Sequence, residues 1–335
     1  MPNTAVAPAR VTLAIEGWNA DNLESRQLFE RTMRSLAAQP YPVDQCEVLI
    51  LLDEEHANND TAWLKAFLPS AQIVPVPGTT YFRLKNAALT HASREIIVFA
   101  DSDVAYVPHW LESLLLCYSK HPGIVVGNTQ FDSGFMSRTL SLCEWAATRP
   151  TSGWTDWFYG NNVAAPRDLL RKYGFRDDLG PSGGGSVDLL RLRLRQEGTK
   201  IWFCAEARGS HNLPPLWSTR LRLAAYQIHF RRAAPESPWG WLVRVPVLGP
   251  FLVIFGTLIK AWQRAFRLRK TLPLRGWSLP FYLGSIAAIK VVECGGAAAY
   301  AWFPNWLQNR TGWFTVPETT GTAIPGEERH LSEDS

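Results

Sequence analysis

The chain has 335 residues, of which 46% are hydrophobic and 19% are charged, so it can bury a large core and is not an intrinsically disordered protein. Its formal net charge is only +4, but residues 189–280 contain sixteen Lys and Arg against three Asp and Glu. This basic stretch favours an anionic partner, either phosphate groups or an acidic membrane surface, with a solvated basic face as the alternative. Five cysteines without CxxC spacing predict reduced thiols rather than a disulfide framework or a structural zinc site.

Short apolar runs alternate with amphipathic segments in the first half of the sequence. Strands are predicted at Val11–Ile15, Cys46–Leu52, Ile73–Val76, Glu95–Ala100 and Ile124–Val126, and helices at 28–36, Tyr81–Ala92 and His109–Tyr118. The second run is apolar apart from Glu47, which is typical of a strand buried in a parallel sheet. The alternation predicts an α/β fold with a mixed, mostly parallel sheet flanked by helices, whose ligands bind beyond the carboxyl ends of the strands.

Polar side chains follow three of these predicted strands. Glu16 and Asn19 follow the first strand, Asp53 follows the second, and Asp101 and Asp103 follow the fourth. An early carboxylate can accept a hydrogen bond from a base or ribose, and two carboxylates one residue apart can approach Mg²⁺ or Mn²⁺, which prefer oxygen ligands. An Asp-x-Asp also occurs as a solvated turn, but its place directly after an apolar strand favours a metal site.

The stretch Leu84–Val104 (LKNAALTHASREIIVFADSDV) resembles the nucleotide-binding core of family-2 glycosyltransferases, which have the Rossmann-like GT-A fold. The similarity begins near Val11 and extends to about His229. The resemblance implies that the protein transfers a sugar from a nucleotide-sugar donor and uses Mn²⁺ or Mg²⁺ as its cofactor.

The same resemblance implies roles for individual residues in the first half of the chain. Asp53 would contact the nucleoside, and Lys85 would neutralise the donor pyrophosphate. Asp101 would contact the ribose or a metal-bound water, or share in metal binding, and Asp103 would ligate the metal. Glu16 and Asn19 stand in a segment that departs from the family's usual opening, so their contacts with the donor are expected to differ.

Two further matches lie in the second half of the chain. Asn161 and Asn162, in the stretch GNNVA, resemble the family segment before the acceptor site and are predicted donor contacts. A turn before a strand would explain the same stretch. His211 matches a histidine that often supplies a third metal ligand, with a purely structural role as the alternative.

The family's Glu-Asp pair, which supplies the catalytic base, is missing. The residues aligned with it are Ser186 and Val187, and Asp188 follows one position late. An inverting transfer requires a carboxylate near the acceptor hydroxyl, so Asp188 is the predicted base, with a helix N-cap as its other interpretation. Asp177 and Asp178, on the far side of a glycine-rich run, are weaker candidates because their position in a loop is less defined.

The C-terminal third contains two uncharged apolar runs, Val245–Ile259 and Trp277–Ile289, each shorter than the ~20 residues that a spanning helix needs. The basic segment Arg264–Arg275 lies between them. If both runs crossed a membrane, this segment would lie opposite a cytoplasmic catalytic domain, against the positive-inside tendency. We therefore expect in-plane or re-entrant helices on the cytoplasmic side of a membrane, with a hairpin of tilted spans and a buried helical subdomain as alternatives.

These observations predict a glycosyltransferase domain at 1–232, a helical membrane-associated region at 233–308 and a polar, disordered tail at 309–335. The expected activity is a metal-dependent, inverting hexosyl transfer from a nucleotide-sugar to a lipid-linked or polysaccharide acceptor at a membrane surface, without a nucleic-acid partner. A catalytically degenerate or retaining member of the family is the first alternative, because the Glu-Asp pair is missing. A nucleotidyltransferase is the second, although those enzymes usually carry a glycine-rich basic motif after the first strand.

Overall fold

The computed structural model describes most of the chain and confirms the predicted α/β sheet with flanking helices. The described residues are 6–17, 23–59, 61–78, 80–132, 134–143, 151–157, 160–177, 185–212, 216–233, 240–245, 248–269 and 276–311.

One nine-stranded sheet forms the centre of the protein. Its strands are β1 (Val11–Glu16), β2 (Glu47–Asp53), β3 (Gln72–Val76), β4 (Ile96–Asp101), β5 (Val104–Tyr106), β6 (Ile124–Phe131), β7 (Gly153–Thr155), β8 (Asn162–Pro166) and β9 (Ile201–His211). The order is β3-β2-β1-β4-β8-β6-β9-β5, and β7 pairs with β9. The half β3-β2-β1-β4 is parallel, as is the pair β6-β9, whereas β8, β5 and β7 pair antiparallel with their neighbours.

Helices cover both faces of this sheet. They are α1 (Leu23–Ala37), α2 (Glu54–Asn58), α3 (Ala62–Phe67), α4 (Tyr81–His91), α5 (Trp110–Lys120), α6 (Phe135–Cys143), α7 (Arg167–Tyr173), α8 (Gly185–Gln196) and α9 (Leu216–Ala233). Successive strand residues point to opposite faces, so Leu13 and Ile15 pack in one core with α1 and α5, while Ala14 packs in the other with α4 and α8. The runs that look uniformly apolar in the sequence are therefore buried on both sides.

The C-terminal region consists of α10 (Gly249–Leu268), α11 (Leu279–Trp302) and α12 (Pro304–Thr311). Among the described helices, α11 alone is long and apolar enough to cross a membrane, a test that a core helix also passes. It continues through Lys290 and Glu293, where the sequence predicted an interruption. The basic segment between the two apolar runs begins inside a helix, because Arg264 and Arg267 belong to α10, and residues 270–275 lie outside the described residues.

A buried charge network explains why α11 is not interrupted. Glu293 accepts hydrogen bonds from Lys290 at 2.7 Å and from Arg220 of α9 at 3.2 Å, and all three side chains are almost completely buried. Gly296 permits this close packing, because a Cβ atom there would lie 2.1 Å from the carbonyl oxygen of Leu221. The two charges that break the apolar pattern thus face α9.

Candidate active site

The carboxyl ends of β1 and β4 bring two buried carboxylates to one edge of the sheet. Glu16 and Asp101 are direct neighbours in the parallel pairing of these strands. Both residues are buried, and the backbone N–H of Ser102 donates to the carbonyl oxygen of Glu16 at 3.1 Å. The register of β1 and β4 therefore brings these two acidic residues together at the edge of the sheet where the sequence predicts ligand binding.

Asp101 is held by two side chains of α4. Lys85 Nζ donates to one carboxylate oxygen at 2.8 Å, and the Tyr81 hydroxyl donates to the other, also at 2.8 Å. Burial, followed by the negative charge of Asp101, raises the pKa of Tyr81 well above its ordinary value, so the phenol stays protonated and remains a donor. The carboxylate is therefore fixed in orientation.

Lys85 itself is fully buried beneath Asp101. Its ammonium lies 4.4 Å from the Tyr81 ring centroid and 4.9 Å from that of Phe99. Gly160 closes over it, since a Cβ atom there would approach Lys85 Cε to 3.2 Å and the Tyr81 hydroxyl to 3.1 Å. Lys85 therefore supports Asp101 from inside the protein, and its role in neutralising the donor pyrophosphate stays a prediction.

Asp103 and His211 converge beside this supported carboxylate. His211 Nε2 lies 3.4 Å from Asp103 Oδ2, because β5 pairs with β9 and sets Val104 opposite His211. Both side chains are largely buried. Burial raises the pKa of Asp103, His211 opposes that rise, and the negative charge of Asp101 adds to it.

These residues fit a divalent cation. An oxygen donor and a nitrogen donor face each other at a distance that one ion can bridge, and a cation would offset the cost of ionising a buried carboxylate next to Asp101. Asp103 and His211 are the residues that would hold the metal, and Asp101, whose carboxylate oxygens each accept one hydrogen bond, stays a predicted third ligand. Tyr81 and Lys85 fix the orientation of the Asp101 carboxylate beside this pair.

Asp132 and Arg31 hold the end of β9 that carries His211, a contact that was not predicted from the sequence. The backbone N–H of Asp132 donates to the His211 carbonyl oxygen at 3.0 Å, and the Ser210 hydroxyl donates to the Asp132 carboxylate. Arg31 donates two hydrogen bonds of 3.1 Å to the same carboxylate and lowers its pKa. Asp132 directly follows β6, so the rule that selected Asp101, a carboxylate after an apolar strand, also applies to it.

Asn161 and Asn162 lie inside the sheet, apart from any open surface. Asn162 is completely buried and accepts a hydrogen bond from Trp110 Nε1 at 2.8 Å. Its amide nitrogen donates to Thr129 and to the carbonyl oxygen of Ala207. Because the core engages its polar atoms, we do not retain Asn162 as a donor contact. Asn161 is also buried, and its backbone oxygen accepts from Tyr106.

Asp53 serves as the N-cap of α2. One carboxylate oxygen accepts the backbone N–H of His56 at 2.8 Å, and the other lies 2.6 Å from His56 Nδ1. The side chain remains partly exposed at the carboxyl end of β2, so a nucleoside contact stays a prediction. Asn19 lies outside the described residues.

Asp188 lies in the first turn of α8, where its carboxylate is 3.3 Å from Arg191 Nη2. Burial raises its pKa, and the positive charges of Arg191 and Arg231 oppose that rise. The base assignment stays a prediction, and the carboxylate is already ion-paired. Of the weaker candidates, Asp177 lies 3.5 Å from Arg83 Nε, and Asp178 is outside the described residues.

The chain is similar to known proteins in part of its sequence and in its fold. The model for glycosyl transferase family 2 matches residues 22–156. No curated protein matches the sequence. The mannosyltransferase PcManGT from Pyrobaculum calidifontis, solved in complex with GDP-Man and Mn²⁺, is similar in structure with a TM-score of 0.57 and 18% identity, over 89% of this chain and 90% of that chain.

Two other solved structures are similar at a TM-score of 0.48. GalNAc-T7 with UDP, GalNAc and Mn²⁺ is 14% identical over 68% of this chain and 51% of that chain. S. aureus TarS 1–349 is 13% identical over 87% of this chain and 91% of that chain. At these identities the likeness is one of fold.

Proposed function

We propose, from the premise that the chain is a family-2 glycosyltransferase of the GT-A fold, that it is a metal-dependent enzyme that binds a nucleotide-sugar at the Asp101–Asp103 edge of the sheet. The reaction transfers the sugar to an acceptor delivered from a membrane surface. The observation that carries the proposal is the 3.4 Å approach of His211 to Asp103 beside the fixed carboxylate of Asp101.

Asp103 and His211 hold the divalent cation in this proposal, Mn²⁺ or Mg²⁺. A bound cation neutralises negative charge that develops on the departing diphosphate. The protein's part is to keep its own groups in place. Lys85 and Tyr81 orient Asp101 toward the ribose or a metal-bound water, and the Asp132 backbone and Arg31 fix the end of β9 that carries His211.

A structural neighbour supports the choice of donor class. PcManGT was solved with GDP-Man and Mn²⁺, and it is similar to this chain over most of its length. The shared fold makes a nucleotide-sugar the expected donor here, and a panel of donors identifies the sugar and the base.

Donor hydrolysis tests this proposal directly. Purified protein with Mn²⁺ is incubated with a panel of UDP-, GDP- and dTDP-sugars, and the free nucleoside diphosphate is measured. We expect metal-dependent release from one donor and none in EDTA. Binding of a nucleotide-sugar without any release would favour a degenerate family member, and release of pyrophosphate from a nucleoside triphosphate would favour a nucleotidyltransferase.

An exposed apolar stripe supports the membrane part of the proposal. It lies along α10 and its N-cap at alternating spacings of four and three residues, and its side chains are 36% to 61% exposed: Leu248, Leu252, Phe255, Ile259, Trp262 and Phe266. This spacing places all six on one helix face. Arg267 and Arg269 are exposed near its end, as in helices that lie in the plane of an anionic membrane.

Co-sedimentation with vesicles tests this placement. Replacing Phe255 and Phe266 by Asp should weaken binding to phosphatidylglycerol vesicles by at least about tenfold for each side chain, since burying a Phe contributes ~1.5–3 kcal/mol. Trp154→Ser, at an exposed aromatic of β7, is the control and should bind as the wild type. Raised salt should loosen part of the attachment. Undiminished binding of the double variant would contradict the proposal.

The same proposal places the catalytic part on the cytoplasmic side, where nucleotide-activated donors are made. A cysteine introduced at position 269 should react with an impermeant maleimide from the cytoplasmic side of sealed vesicles. Labelling only from the opposite side would favour two full spans instead.

A further inference from the structure

Two thiols from distant parts of the sequence meet outside the candidate active site. Cys117 of α5 and Cys204 of β9 are 87 residues apart in the chain, and their sulfur atoms lie 2.6 Å apart. Cys204 is completely buried in the core, whereas Cys117 is only partly buried, and both are free thiols. Neither thiol has a part in the proposed function, so the pair is a candidate for chemistry of its own.

A disulfide fits this pair better than a metal ion. Two thiolates on one tetrahedral zinc ion lie ~3.8 Å apart, because each Zn–S bond is ~2.3 Å long, so the pair would have to open by more than ~1 Å. A disulfide bond of ~2.05 Å requires the sulfur atoms to approach by only ~0.6 Å. Glu206, the third possible metal ligand, lies 3.6 Å from Cys204 Sγ and already accepts a hydrogen bond from Ser152. The smaller movement and the engaged carboxylate both favour the disulfide.

Cys117 is the more reactive of the two thiols. The hydrogen bond between the thiols lowers the pKa of Cys117, against the effect of burial. The same hydrogen bond, together with burial, raises the pKa of Cys204. Burial also raises the pKa of the other cysteines: Cys46, Cys143 and Cys294. A partly exposed thiol with a lowered pKa is the one that a small oxidant reaches and that attacks as a thiolate.

Cys204 lies where β9 is not paired with its neighbouring strands. Between Phe203 and Arg208, β9 advances by five residues while its partner β6 advances by two. Residues 204–207 therefore pair with no strand in the described part of the chain. The Ser152 hydroxyl accepts the backbone N–H of Ala205 at 2.8 Å in place of a strand partner. Because no ladder hydrogen bond holds Cys204, it can approach Cys117 without disrupting the sheet.

We propose that Cys117 and Cys204 form a reversible disulfide that joins α5 to β9, with a low-molecular-weight disulfide as the oxidant. The Cys117 thiolate attacks one sulfur of the oxidant, which forms a mixed disulfide and releases one thiolate. Cys204 gives its proton to that thiolate, attacks Cys117 Sγ and displaces the second thiolate, which takes up the proton that Cys117 lost. Two protein thiols are thus oxidised, and the oxidant is reduced to two small thiols.

The disulfide holds the unpaired part of β9 against α5. Residues 204–207 lead directly into the end of β9 that carries His211. Segments without ladder hydrogen bonds open locally more often than paired strands do, and a covalent link suppresses this opening. Closing a loop of 87 residues also lowers the conformational entropy of the unfolded chain. The oxidised protein should therefore be more stable than the reduced protein, and its residues 204–207 should exchange amide hydrogens more slowly.

Peptide mapping tests whether the bond forms. The full chain is treated with oxidised glutathione, the remaining thiols are blocked with iodoacetamide, and the digest is analysed by mass spectrometry without reductant. We expect one crosslinked species that joins Cys117 to Cys204 and that dithiothreitol reverses. Cys46→Ser and Cys294→Ser are the controls and should keep this crosslink. Its absence, or an equal yield of crosslinks to the other cysteines, would overturn the proposal.

Single variants test the order of the two steps. In Cys204→Ser the second step is blocked, so glutathione should stay attached to Cys117. In Cys117→Ser the remaining buried thiol should stay unmodified under the same treatment. Glutathione attached to Cys204 but not to Cys117 would overturn the assignment of Cys117 as the attacking thiol. If either variant fails to fold, the rate of the mixed disulfide at each cysteine of the wild type gives the same answer.

Thermal unfolding and hydrogen exchange test the consequence for β9. Oxidation should raise the melting temperature of the wild type by at least about 5 °C, whereas Cys117→Ser should show no change after the same treatment. Amide exchange in residues 204–207 should slow in the oxidised wild type only. An unchanged melting temperature in a chain shown to be crosslinked would overturn the effect on β9. One zinc ion per chain that blocks oxidation until a chelator removes it would overturn the disulfide and make the pair a metal site.

Discussion

Two buried charge clusters in this protein use the same types of side chain for different ends. At the sheet edge, Lys85 is buried under Asp101. In the helical region, Lys290 and Arg220 are buried around Glu293. Both place cations and a carboxylate out of water, where such pairs cost desolvation energy and contribute little net stability.

The difference lies in what stands next to each cluster. Beside Asp101, a second carboxylate and an imidazole approach each other to 3.4 Å, a distance that the cation of the proposed function could bridge. Around Glu293, the hydrogen bonds link α9 to α11 within the packing of these two helices. Burial of charge therefore does not mark a functional site unless ligand atoms converge beside it.

The largest effect is expected from Asp103→Ala. Removing a carboxylate that holds the metal should weaken Mn²⁺-dependent binding of the nucleotide-sugar by at least about 100-fold. Loss of a residue that only supports a metal ligand typically costs ~10–100-fold, and loss of the ligand itself should cost at least as much. Calorimetry measures the affinity, and circular dichroism should show an unchanged fold. Asp168→Ala, at an exposed aspartate of α7, is the control. An unchanged donor affinity would refute the role of Asp103.

A smaller change in donor affinity is expected from Lys85→Met, together with a loss of stability. Asp101 would keep only the Tyr81 hydroxyl, and an uncompensated buried charge costs ~3–5 kcal/mol of unfolding free energy. Because Asp101 would lose its fixed orientation, donor affinity should fall by ~10–100-fold. Denaturant unfolding and calorimetry at 10 °C separate the two effects. Destabilisation with full donor affinity would make Lys85 a structural residue only.

No change in donor affinity is expected from Glu293→Gln, the counterpart in the helical region. The variant leaves Arg220 and Lys290 buried without their shared carboxylate, so unfolding free energy should also fall by ~3–5 kcal/mol. The same two measurements apply. A loss of donor affinity as large as that of Lys85→Met, measured on folded protein, would contradict the distinction between the clusters.

The sequence predicts the parts of the site that depend on strand ends. Apolar runs identify β1, β2 and β4, and a parallel sheet brings the residues after them to one edge, so Glu16, Asp53 and Asp101 are found in this way. The family resemblance adds His211, and β5 pairs with β9 to bring it to Asp103. The placement of these residues is predictable because it needs only the register of neighbouring strands, and their donor and metal roles stay predictions.

What the sequence misses depends on contacts between distant segments. The placement of Lys85 under Asp101 requires the packing of α4 on the sheet, and the core position of Asn162 requires its three partners. Cys117 and Cys204, 87 residues apart, have their sulfur atoms 2.6 Å apart, although their spacing shows no motif. The length of α11 was underestimated because a charge that interrupts an apolar run is read as exposed, whereas Lys290 and Glu293 face α9.

Counting bound manganese tests the central claim most directly. Electron paramagnetic resonance measures free Mn²⁺ as it is titrated with the protein in the presence of the nucleoside diphosphate released from the donor. We predict one tightly bound ion per chain in the wild type, weaker binding in His211→Ala and loss of binding in Asp103→Ala. Equal manganese binding by the wild type and Asp103→Ala would show that the ion is not held where Asp103 and His211 converge.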